Sequence, residues 1–192
     1  MKYIKISRDI IKDGGIYPEN PKNKIIKIND RERDGFETHM LKLFTHNGTH
    51  IETPRHFIEG EDITGYPIDS FVFDRVQITD YYDMKLEKKK DLLLIKTGYK
   101  RNTETYPYIT LEMAEKIVQY DYRCVGTDMI SIGNIGYKEE SERVHKTFFE
   151  KEFLILEDLD LSDVEMAPKK VFAIPLFVKD IEASPCTVFV EV

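Results

Sequence analysis

The chain has little cysteine, no tryptophan and no long apolar run. Its two cysteines, Cys124 and Cys186, lie far apart in apolar stretches, and no C-x-x-C is present. Cysteine-based zinc or redox chemistry is left without support. The thiols read as core residues, and the expected compartment is the cytoplasm. The longest apolar runs, such as 171–178, fall far short of the ~18 residues of a membrane span. The first ten positions carry Lys2, Lys5, Arg8 and Asp9 among apolar residues, so no export signal is expected. Positive charge is in deficit: 28 Lys and Arg stand against 35 Asp and Glu, a net charge of -7. That balance argues against a nucleic-acid or anionic-membrane partner, which needs a basic face. The run Lys88, Lys89 and Lys90 reads as a solvated turn. Repeats, linkers and low-complexity segments are absent as well. With 41% hydrophobic and 33% charged residues over 192 positions, the chain reads as one domain, 1–192, able to bury a core.

The patterning favours strands. Tyr3, Ile4 and Ile6 open a first one, followed by a loop punctuated by Gly14, Gly15, Pro18 and Pro21. Further extended runs are expected at 24–28, 36–46, 71–78, 92–97, 124–127, 153–156, 171–178 and 187–192. Two stretches read as helices. One is 110–120, with Thr110 as N-cap and Leu111, Ala114, Ile117 and Val118 as its apolar stripe; the other is 141–151. The expectation is a mixed α/β domain with packed sheets and helices covering one side.

Histidine is scarce, yet three of the five fall between positions 46 and 56, in the segment His46-Asn47-Gly48-Thr49-His50-Ile51-Glu52-Thr53-Pro54-Arg55-His56. The four-residue spacing of His46 and His50 would suit a helix, but Gly48, Thr49 and Pro54 argue against one. A strand end, a tight turn at Gly48 and then extended chain fit better. In extended chain His50 and Glu52 point the same way, and the turn can bring His46 alongside. Two imidazoles and a carboxylate suit Zn(II), Mn(II) or Fe(II) with positions left open for water. Further on, the apolar run 153–156 leads straight into Glu157. A carboxylate there either emerges into solvent or must be paired, hydrogen-bonded or metal-bound. On pattern alone both readings stand. By the same measure His145 reads as a solvent-facing helix residue, and His39 has no partner in the motif.

This segment resembles the cyclase family of metal-dependent hydrolases, which includes bacterial-type kynurenine formamidase, or arylformamidase. The family pattern H-x-G-T-H-x-D-x-P-x-H is met by His46, Gly48, Thr49, His50, Pro54 and His56, with Glu52 in place of the aspartate. Residues 17–21 are similar to the family's aromatic-proline loop. Leu93 to Gly98 resembles a strand of the family, and Val125-Gly126-Thr127-Asp128 a later segment. His145, Glu157 and Pro185 stand where the family has its later histidine, glutamate and proline.

The resemblance implies a swivelling β/β/α domain and one or two divalent ions, zinc first and manganese second. His46, His50 and Glu52 would hold one ion, and Glu52, His145 and Glu157 would help hold another. His56 would be the catalytic acid/base and Tyr17 would meet the substrate. The implied activity is hydrolysis of a small amide of the arylformamide kind, in a homodimer or homotetramer. Two alternatives stand beside it. One is a hydrolase or lyase acting on another small cyclic amide or lactone; the other is a metal-binding or small-molecule-binding protein without turnover.

Overall fold

Leu92, Leu93, Leu94 and Ile95 are all fully buried in the computed structural model, which describes residues 2–14, 17, 20–101 and 105–192. A strand buried on both faces needs a covering layer on each, and the topology supplies both. In chain order the strands are β1 (Tyr3–Lys5), β2 (Lys24–Asn29), β3 (Thr38–Lys42), β4 (His50–Glu52), β5 (Val72–Phe73), β6 (Val76–Asp80), β7 (Leu92–Lys96), β8 (Cys124–Thr127), β9 (Leu154–Glu157), β10 (Lys170–Pro175) and β11 (Ala183–Glu191). The helices are α1 (Arg31–Asp34), α2 (Leu111–Ile117) and α3 (Lys138–Phe149). Among the described residues nine strands join one sheet in the order β5-β10-β11-β4-β9-β8-β7-β6, with β1 added against β11. The β2–β3 ribbon forms a separate pair.

The run β6-β7-β8-β9 is parallel, and β4 lies antiparallel between β9 and β11. β5 and β6 stand at opposite ends of the order, yet only Asp74 and Arg75 separate them in the chain. The sheet must therefore curl until its two ends nearly meet. Alternation along each strand then sorts side chains to two cores. Leu92, Leu94, Cys124, Leu154 and Leu156 face the interior of the curl, with Ile51, Val171 and Val188 opposite. Leu93, Ile95, Val125 and Ile155 face outward against Ala114 and Ile117 of α2 and Val144, Phe148 and Phe149 of α3. Helices thus cover one side, and the α/β reading holds.

The differences from expectation have local causes. The strand expected over 36–46 stops at Lys42, because the amide of Asn47 turns back to the carbonyl of Phe44 at 3.1 Å. His46 therefore sits in a turn, not on a strand face. The run 71–78 breaks into β5 and β6, as the sheet closure demands. The last strand starts at Ala183 rather than 187 and runs through Pro185. α3 begins three residues before the expected 141, at Lys138. Thr110 does cap α2, its side chain accepting from the amide of Met113. Gly15, Pro18 and Glu19 of the early loop lie outside the described residues.

Phe148 is fully buried between α3 and the sheet. Replacing it with alanine should cost about 3–5 kcal/mol of stability, the usual range for an aromatic lost from a packed core. Urea unfolding checks this; a loss below about 1 kcal/mol would contradict the packing described.

Candidate metal centre

The centre begins with β4, three residues long and fully inside the sheet. Its period of two sends Ile51 into the inner core and leaves His50 and Glu52 together on the other face. The strand register sets His50 directly opposite Glu157 of β9. Before β4, Gly48 adopts φ +80°. That left-handed turn, costly for other residues, folds His46 back over His50, with ring centroids 4.8 Å apart. After β4, Pro54 opens a single 3-10 turn that carries His56, whose ring lies 4.4 Å from that of His46. His145 arrives from α3. A Cβ on Gly133 would press on Ser141 and come within 2.9 Å of the His145 ring, so only glycine lets α3 approach this closely.

Five side chains meet at short range. Glu52 Oε1 lies 2.9 Å from His46 Nδ1 and 3.3 Å from His50 Nε2. Glu157 reaches His50 Nε2 at 3.4 Å and His145 Nε2 at 3.6 Å. His145 Nε2 is also 3.7 Å from Glu52 Oε2. His56 Nε2 stands a little further out, 3.9 Å from Glu52 Oε1. His50, Glu52, His145 and Glu157 are each at most 3% exposed.

The outer nitrogens decide the tautomers. His50 Nδ1 meets the carbonyl of Gly48 at 2.9 Å, and His145 Nδ1 meets that of Ser141 at 2.7 Å. A carbonyl only accepts, so each Nδ1 donates and each Nε2 faces inward, with a lone pair to offer a metal when the ring is neutral. His46 is held in the opposite sense: Nε2 donates to Glu182 Oε1 at 3.0 Å, leaving Nδ1 facing in. Glu182 stays ionised, because its bond to His46 draws its pKa down to about 2 against partial burial. The same oxygen accepts from the Thr45 hydroxyl at 2.8 Å, and the Glu182 carbonyl accepts from Thr53 just before the His56 turn.

Three inward-facing imidazole nitrogens and two carboxylates thus converge. His46 Nδ1 and His50 Nε2 are only 3.2 Å apart, a spacing that demands a cation between them, either proton or metal. Burial opposes the imidazolium of His50, but the Glu157 and Glu52 carboxylates overcome it and raise its pKa well above the ordinary value. The pKa values of His46 and His145 also rise against burial, drawn chiefly by Glu182 and Glu157 respectively. Burial pushes Glu52 up, yet its bonds to His46 and His50 bring it well below the usual range. His56 behaves differently. Burial outweighs its carboxylate neighbours and lowers its pKa, which favours the neutral ring.

A divalent ion fits this donor set. Among the described residues Glu52 Oε2 is buried without a hydrogen-bond partner, as expected of an oxygen reserved for a cation. Two triplets bring donor atoms within 4.8 Å of one another: His50, Glu52 and Glu157, and His46, Glu52 and His56. This grouping differs from the pairing expected from sequence. His50 groups with Glu157 through the strand register, and His56 lies within reach of the same carboxylate as His46. All six sequence-selected residues converge, whereas His39 lies on the exposed ribbon near Glu37.

The centre floors a cavity of about 490 Å³. Tyr17 lines it, with Phe44, Phe57, Ile130 and Ile135 as apolar wall. Asn20 lies in the same lining, while Pro18 and Glu19 of the aromatic-proline loop are outside the described residues. Sequence reasoning missed Glu182, which is 136 positions from His46. It also missed Arg8, whose amide donates to Thr49 Oγ1 at 2.9 Å while that hydroxyl donates to the carbonyl of Asp158. Arg8 further pairs with the Asp158 carboxylate at 3.1 Å, buttressing the residue after Glu157.

Against this geometry the relatives can be placed. Residues 4–83 match the family model described as putative cyclase, and the likeness to cyclase-type proteins holds. The kynurenine formamidase of Bacillus anthracis is 24% identical over 200 residues, covering 96% of this chain and 94% of that protein. Among solved structures, a potential metal-dependent hydrolase with cyclase activity superposes with a TM-score of 0.76 at 21% identity, covering 98% of this chain and 96% of the other. An isatin hydrolase bound to the product analogue thioisatinate gives 0.82 at 16% identity, covering 100% and 92%. The chain shares their fold.

Glu182→Gln keeps the size and removes the charge behind His46. Metal affinity should fall about 10–100-fold, the usual cost of losing an orienting partner, with the far-UV dichroism unchanged. Equilibrium dialysis against zinc checks this; an affinity equal to wild type would show that Glu182 does not orient His46.

Proposed function

We propose that the protein is a metal-dependent hydrolase of a small amide, with one or two divalent ions held by His46, His50, Glu52, His145 and Glu157. The observation that carries this reading is the orientation of three imidazoles. Each has its outer nitrogen committed to an acceptor and its inner nitrogen turned toward two buried carboxylates. Imidazole and carboxylate donors together suit zinc, and manganese next. Relatives named as a formamidase and as a hydrolase support amide chemistry. Bound there, the metal would supply Lewis acidity toward a carbonyl and a water molecule.

The chain's own residues do the rest. The walls Phe44, Phe57, Ile130 and Ile135 exclude bulk water and hold an apolar or aromatic body. Tyr17 faces the same space from the early loop. His56 handles the proton. Burial favours its neutral form and the half-buried ring lines the cavity, so Nε2 can take a proton from the attacking water. It then returns that proton to the amide nitrogen as the C–N bond breaks, because an unprotonated amide anion is a very poor leaving group. The ring stays put through its packing on Phe57, centroids 4.3 Å apart.

Two outcomes check this reading on a series of formanilides. Chelation should abolish hydrolysis, and added zinc or manganese should restore it; activity that survives metal removal contradicts the proposal. His56→Ala should retain the metal and lose about 10²–10⁴-fold in kcat, the range for a lost acid/base group. The loss should shrink as the leaving aniline becomes more acidic. Loss of the metal in this variant would instead make His56 a ligand, as its proximity to Glu52 and His46 allows.

A further inference from the structure

The pairing that brings His50 against Glu157 is the last rung of a short ladder. His50 opens β4 and Glu157 closes β9, and the register between them runs from Glu52 opposite Ile155 to His50 opposite Glu157. Ladder ends are where strands open first. A metal, however, needs its donors within about 0.2 Å of their proper places, and Glu157 stands 3.4 Å from His50 Nε2. The next residue outward on each chain, Thr49 before His50 and Asp158 after Glu157, carries a clamp that holds this rung shut.

Thr49 Oγ1 donates to the Asp158 carbonyl at 2.5 Å and accepts the Arg8 amide at 2.9 Å. The Arg8 guanidinium then takes the Asp158 turn with all three of its nitrogens. Nε donates to Asp158 Oδ1 at 3.1 Å, Nη2 to the Leu159 carbonyl at 3.0 Å and Nη1 to Asp160 Oδ2 at 3.0 Å. Arg101 grips the same buried carboxylate, with Nε on Oδ1 at 3.2 Å and Nη2 on Oδ2. Asp158 has φ +57°, the left-handed region that side chains rarely enter. Such a conformation persists only where the surroundings over-determine it. Here they do: the Asp158 amide donates to the Met129 carbonyl at 2.7 Å and the Leu159 amide to that of Thr127 at 3.0 Å. Between those two carbonyls in sequence lies Asp128, whose carboxylate accepts from the amides of Thr97 and Gly98 at 3.0 Å, at the root of the segment that carries Arg101.

Resting on the metal-bound reading above, we propose that Arg8 is a positioning residue for the centre: its amide sets Thr49, its guanidinium sets Asp158, and together they fix the spacing of His50 and Glu157. Arg8 acts on each of these donors through its chain neighbour. Glu182, by contrast, orients the single ring of His46 by a direct hydrogen bond. Lysine at position 8 would keep the charge and lose the fork, since one ammonium cannot serve the Asp158, Leu159 and Asp160 acceptors from separate nitrogens. Without the clamp the rung opens, and the centre loses the donor pair that spans two strands. His46 and Glu52 stay where the Gly48 turn and the rest of β4 hold them.

Arg8→Ala should bind zinc about 10–100-fold more weakly than wild type, the usual cost of removing a support behind metal donors, and the d–d bands of its cobalt(II) form should move. Arg8→Lys and Thr49→Val are milder changes that should shift both readouts the same way, so the test survives if the alanine variant fails to fold. Arg123→Met serves as the control for a merely structural loss. That guanidinium holds the carbonyls of Ser70 and Val72 at 2.6 Å, and the Arg123 carbonyl accepts from Leu154 at the opposite end of β9. Its loss should lower the unfolding midpoint and leave zinc affinity and the cobalt bands unchanged. Wild-type affinity and bands in the folded Arg8 and Thr49 variants, or an equal loss in Arg123→Met, would overturn the proposal. Long-range proton–nitrogen spectra of the metal-free protein separate this proposal from the metal assignment. If wild type binds no zinc but the His50 ring signals move in Arg8→Lys, only the metal assignment fails; if those signals stay in place, positioning by Arg8 fails.

Discussion

Two carboxylates buried side by side are the constraint from which the rest of the centre follows. Glu52 and Glu157 are 1% and 2% exposed, and burial together with the Glu52 charge makes Glu157 harder to ionise. Neither can remain charged there without positive charge between them. Three histidines occupy that space, and their outer nitrogens are bound to acceptors, which turns the inner nitrogen of each ring toward the carboxylates. Protons can answer part of the demand, since the outer acceptors also favour the imidazolium form of His46 and His145. A divalent ion answers it while keeping every orienting bond, and it also satisfies Glu52 Oε2.

The sheet explains why these groups meet. β4 lies between β9 and β11, so its register on β9 fixes His50 against Glu157, and its register on β11 sets Glu52 beside Ala183. Glu182 then falls one residue before that pairing and reaches His46. The curl of the sheet gives the inner core its own volume, and α3 closes the outer side with His145 inward. Gly133 permits that closure. Backbone pairing, more than any side-chain contact, positions the functional groups.

Much of the centre was legible in the sequence because its first half is local. His46, Gly48, His50 and Glu52 share one turn and one short strand, where periodicity alone tells which side chains agree. Glu157 was half legible, since a carboxylate ending an apolar run demands explanation, but pattern could not say what it met. His145 needed the family likeness, because nothing local turns a helix histidine inward. Glu182 left no signal, because it acts across 136 positions. The overextended third strand failed for a physical reason. Alternation continues through Phe44 and His46, but the chain must turn there to bring His46 over His50.

The central claim is that a divalent ion sits between Glu52 and the inward imidazoles. An anomalous-difference map from zinc-loaded crystals, collected at the zinc edge, tests it most directly. The expected result is a peak about 2.0–2.2 Å from a Glu52 oxygen and from an inner nitrogen of His46 or His50. No peak there, or peaks only at exposed sites such as His39 beside Glu37, would contradict it.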